Sequence, residues 1–158
     1  MMRRRARGAL LVLVLLLIGV LFVMCVGFLS TKSQEAMVAN QARDSFQARE
    51  IAFSGLETVR VKMLNDPDFP PARLSPTQEV FEISEELRNY DDTEVLGRYQ
   101  LHCDRRWMDA PYNRLRVTAI GQFQDQSGNP VRHRLIGEFS TAPGERGRMT
   151  NFIDLGAF

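Results

Sequence analysis

From Ala9 to Leu29 the chain carries no charged and no strongly polar side chain. At about 1.5 Å per residue a helix of this stretch spans about 30 Å, the thickness of a bilayer's hydrocarbon core. Lipid offers no partner for open backbone groups, so a spanning segment of this kind must be helical. Beyond it the pattern changes. Thr31 to Leu64 contains no proline, and Ala39, Ala42, Phe46, Phe53, Leu56 and Met63 recur at spacings of three, four or seven. Glu35, Arg43, Asp44, Gln47, Glu57 and Arg60 lie opposite them. This predicts a second helical half that is apolar on one face. Gly55 costs it about 1 kcal/mol relative to alanine. Asn65-Asp66-Pro67 supplies a stop, because the residue before a proline leaves the helical region. The two halves form one helix from about Ala9 to about Leu64, about 80 Å long.

Pro67 to Pro76 is a proline-rich connector. Ser75, Pro76 and Gln78 read as a helix N-cap, a first-turn proline and a capping-box residue, and Val80, Ile83, Leu87 and Tyr90 follow at helical spacing. A short helix is predicted there, ending at Asp91-Asp92. The period then becomes two. Tyr99, Leu101 and Cys103 alternate with Arg98, Gln100, His102 and Asp104. Leu115, Val117, Ala119 and Phe123 alternate with Arg116, Thr118 and Gln122, and Val131, Leu135 and Phe139 with Arg132, Arg134 and Glu138. Each is a half-buried strand, and the turn residues from Asp125 to Pro130 join the second to the third. A three-stranded antiparallel meander is marginal alone; laid over the helix stripe it acquires a core. The tail carries Phe152, Ile153, Leu155 and Phe158, which dock as an edge segment or remain a partner-binding end.

The expected fold class is therefore α+β: a long N-terminal transmembrane and amphipathic helix packed on a small antiparallel sheet. The expected organisation is a basic leader (1–8), the transmembrane half of the helix (9–30), its amphipathic half (31–66), a small globular domain with a short helix and three strands (67–142), and a C-terminal tail (143–158).

Charge adds orientation. Arg3, Arg4, Arg5 and Arg7 precede the apolar run, and Lys32 alone follows closely. The positive-inside rule puts the N-terminus in the cytoplasm and the remainder outside, as in a single-pass inner-membrane protein. With those four arginines set aside, 16 of the 20 basic residues face 19 acidic ones, a balance that argues against a nucleic-acid partner. A cleaved secretory signal has an apolar region of about 7 to 15 residues closed by a small-x-small site. This run is longer, and Met37-Val38-Ala39 is a poor cleavage match.

Candidate chemistry is sparse. His102, Cys103 and Asp104, with His133 elsewhere, invite a metal reading, but neighbours on a strand point to opposite faces. No zinc spacing is present, so both histidines are read as surface residues and no metal or cofactor is expected. Asp91, Asp92 and Glu94 lack a calcium-loop spacing and read as a solvated turn. The stretch Asp104 to Arg114 joins arginines to Trp107 and Tyr112, residue types enriched at interfaces. Cys25 and Cys103 fall in the apolar and polar halves and read as free thiols. Gly19 and Gly27 lack the spacing of a close helix-packing motif. No catalytic motif is present, and no enzyme is expected.

"MMRRRARG" directly before "ALLVLVLLL" resembles the leader of type IV pilins and type II secretion pseudopilins. "NQARDSFQAREIAFSGLE", Asn40 to Glu57, is similar to the segment past the membrane in PilX-like minor pilins and in pseudopilin K. The resemblance covers roughly Arg3 to Leu64. It implies cleavage between Gly8 and Ala9 by a prepilin peptidase, methylation of the new N-terminus, and assembly with other pilin-like subunits on an inner-membrane platform into a pilus or pseudopilus. Most members carry a glutamate at the fifth residue after the cut, whose carboxylate is thought to meet a neighbour's free amine. Here that position is Leu13. A lone carboxylate in hydrocarbon is costly and its pairing would fix register, so Leu13 departs from a shaft subunit and fits a tip or priming one. An uncleaved single-pass protein whose outer domain binds another envelope protein is the alternative.

Overall fold

The computed structural model describes residues 3–71, 79–91, 93–125 and 127–158, with side chains from Leu10 onward. The elements run α1 (Arg3–Asn65), β1 (Val80–Arg88), β2 (Val95–Asp104), β3 (Arg114–Gln124), β4 (Pro130–Ser140) and β5 (Met149–Ala157). The chain divides into two compact units, Met1–Ala42 and Arg43–Phe158.

The first unit is the start of α1. Helical backbone runs through Ser30 without interruption, and every described side chain from Leu10 to Ala42 is exposed. Past the apolar stretch the helix surface becomes polar in the usual local ways. Thr31 Oγ1 donates to the Gly27 carbonyl at 3.0 Å, and Lys32 pairs with Glu35 at 2.6 Å.

The second unit is the end of α1 against a five-stranded antiparallel meander in the order β1-β2-β3-β4-β5. Along α1, Ala48, Ile51, Ala52, Leu56, Val59 and Met63 are buried; their spacings of three and four make one continuous stripe. Tyr99, Leu101 and Cys103 of β2, Leu115, Val117 and Ala119 of β3, and Leu135 and Phe139 of β4 complete the core. These are the period-two residues of the three expected strands.

Two glycines set the distance between the layers. At Gly121 of β3 a β-carbon would overlap the Ala48 carbonyl oxygen and the Ala52 amide nitrogen, so helix backbone lies directly on strand backbone. At Gly55 a β-carbon would stand 2.8 Å from Leu101 Cδ2. The propensity cost of a mid-helix glycine is thus offset by close packing. The helix ends at an arginine clamp. Arg146 donates from Nε to the Met63 carbonyl at 3.0 Å and from Nη2 to the carbonyls of Pro67 and Phe69, both at 2.6 Å. It thereby satisfies one carbonyl that the helix terminus leaves open, that of Met63, and ties the connector beyond Asn65 to it.

The short helix expected after Ser75 is corrected to a strand. Ser75 to Gln78 lie outside the described residues, but Val80–Arg88 is β1, paired with β2 from Val80↔Asp104 onward. Val80, Ile83 and Leu87 satisfy a helical spacing. Phe81, Ile83, Glu85 and Leu87 satisfy an alternating one equally well, and these four are the residues turned inward. The free edge of β2 selects the second reading. Tyr90 is wholly exposed, in the turn beyond. The sheet accordingly has five strands rather than three. The tail supplies the fifth: Met149–Ala157 pairs with β4 with two register shifts, at Arg134/Leu135 and Glu138/Phe139.

Candidate helix-packing surface

The expected stripe proves to be parts of two faces. Leu56 and Met63 are buried at 0% and 1% exposure, under the sheet. Phe46 is 60% exposed, and Ala39 and Ala42 are exposed as well. Phe53 is half-buried at the margin between the faces, its ring edge-on to Phe152 of β5 at 6.2 Å. At 100° per residue, Phe46 and Phe53 lie to one side of the line joining Ala48, Ala52, Leu56 and Met63. The chain's own sheet buries that second line and covers Phe53 only in part. Shallow grooves of about 530 and 440 Å³ flank Phe53, the first shared with Leu64 and Met149, the second with Val61 and Thr58.

The register of α1 over the sheet is held by two polar clasps, one at each edge strand. At β1, Lys62 Nζ donates to Glu85 Oε1 at 2.7 Å and Tyr99 Oη donates to Glu85 Oε2 at 2.5 Å. Thr58 Oγ1 lies 3.2 Å from the same phenol oxygen. The lysine, then the phenol, pull the Glu85 carboxyl below its ordinary range. Burial, then the carboxylate, push Tyr99 up. At β5, Arg49 Nε donates to Asp154 Oδ2 at 2.8 Å, and His133 Nε2 lies 2.6 Å from Asp154 Oδ1. Ser45 Oγ lies 3.4 Å from His133 Nδ1. The hydrogen bond from Arg49 does most to hold the Asp154 carboxyl down at about 2. Ser45, His133 and Asp154 are the residue types of a hydrolytic triad. Ser45 sits mid-helix, where the neighbouring amides are spent on helix bonds, so the geometry provides a structural clasp and no oxyanion site.

His133 is therefore corrected from a surface residue to a buried one. Its signal was parity: it shares a strand face with Val131 and Leu135. His102 is on the outer face, with Nδ1 3.1 Å from Glu82 Oε1. Cys103 is buried, and burial pushes its thiol up to about 12, the state of an inert packing residue. Asp104 is bonded by Arg106 and held low by it. Among the described residues no group of three or more His, Cys, Asp or Glu side chains is placed to hold a metal ion. Asp92 lies outside the described residues. The Glu94 carbonyl accepts from the Asn89 amide at 2.9 Å, closing the β1–β2 turn. In the loop between β2 and β3, Trp107 and Tyr112 meet edge-on at 4.8 Å, both exposed.

Gly8 and Ala9 fall in the opening turns of α1, whose backbone begins at Arg3 and includes Arg4, Arg5 and Arg7. Leu13 is exposed on the apolar part of the helix. α1 is long and apolar enough to cross a membrane. Gly19 and Gly27 open onto empty space on that part of the helix. Comparisons with protein-family models, with curated proteins and with solved structures returned no match.

Proposed function

We propose that this chain is a minor pilin-like or pseudopilin-like subunit of a type IV pilus or type II secretion pseudopilus. In this reading it waits in the inner membrane with the sheet outside. A prepilin peptidase removes residues 1–8 after Gly8, and an assembly platform lifts the subunit. Its helix then packs among those of neighbouring pilin-like subunits, exchanging lipid contact for helix contact.

The observation that carries the reading is a set of apolar residues of α1 that the chain's own core leaves exposed: Ala39 and Ala42 in the first unit and Phe46 in the second, with Phe53 half-buried at the core's margin. They belong to the same helix as the membrane-length stretch. A helix that served only as a tether would need one apolar face to hold its domain. Here a second is present, and exposed apolar surface of this kind marks contact with another molecule. Leu13, in place of the family's glutamate, supports a tip or priming position. With no carboxylate to pair, the subunit needs no amine from a neighbour.

N-terminal sequencing of the native protein is the test. Ala9 as first residue supports the proposal, and an intact leader in cells making an active prepilin peptidase overturns it. Leu13 also favours a second reading, in which Gly8 is never cut and the outer domain binds an envelope protein. That reading expects Gly8→Leu to leave the mature mass and complex size unchanged, whereas the subunit proposal expects accumulation of the uncut form.

A further inference from the structure

We draw no further inference here: the strongest candidate, the apolar margin where Phe152 of edge strand β5 meets the half-buried Phe53 of α1 on the helix side that also carries the exposed Phe46, carries none because nothing in the structure shows what covers it.

Discussion

The two edges of the sheet are fastened to α1 by the same device built from different residues. At β1 a lysine and a phenol share the Glu85 carboxylate; at β5 an arginine and an imidazole share the Asp154 carboxylate. Between the clasps the contact is apolar and nearly backbone-to-backbone at Gly121. The difference lies in kind of work. The charged groups of both clasps are about a third exposed or more, so each contributes modestly to stability. Their geometry nevertheless permits one rotation and one axial position of the helix. The apolar middle supplies most of the stability.

Substitution in the middle has the largest expected effect. Gly121→Val should destabilise the second unit by at least about 3 kcal/mol, because backbone atoms cannot yield as a side chain can. Thermal unfolding of the detergent-solubilised chain would show this, and a melting temperature within a degree or two of wild type would refute the close approach. Leu56→Ala, on the covered face, should cost about 2–5 kcal/mol. Phe46→Ala, on the outward face, should stay within about 0.5 kcal/mol in the solubilised chain, and the proposed subunit role expects it to reduce recovery of the protein in assembled filaments. Equal stability losses for the two variants would erase the distinction between faces.

The clasps come next. Glu85→Gln and Asp154→Asn should each cost about 1 kcal/mol or less, and the double variant should broaden amide signals along 43–65 as the helix loses its register. Sharp, unshifted spectra would show that the core alone sets the register. The smallest effect is a pH dependence. Asp154 titrates at about 2 in the folded chain against an ordinary 3.8. Its contribution is complete above pH 3.8 and disappears as the pH falls toward 2. Glu85 is lowered as well and acts in the same direction, below its ordinary 4.5. Asp154→Asn should flatten the acid limb of stability between about pH 4 and 2; an unaltered limb would place the acid sensitivity elsewhere.

Much of this architecture was legible along the chain, and the failures share a cause. Tyr99, Leu101, Cys103, Leu115, Val117 and Ala119 were readable because alternation over several residues admits one face assignment. Val80 to Tyr90 was misread because a short segment whose apolar residues fit two periods has no internal means of choosing; pairing with β2 chose. β5 was legible as one of two readings of the tail, an edge segment, but not as a regular strand, because two register shifts break its alternation. On α1, Leu56 and Phe46 are both apolar and helically spaced, and nothing local says which of two adjacent lines faces the sheet.

By itself the sequence determined the membrane-length apolar helix, its continuation to about Leu64, the inward residues of three strands and the absence of recognisable catalytic motifs. These are properties of period, length and residue type, which a chain carries locally. The tertiary structure alone decided which helix face the sheet covers, that β1 is a strand, that His133 is buried, and that Gly55 and Gly121 are contact points. Each of these depends on what a distant segment places opposite the residue, and burial is a relation between segments rather than a property of either.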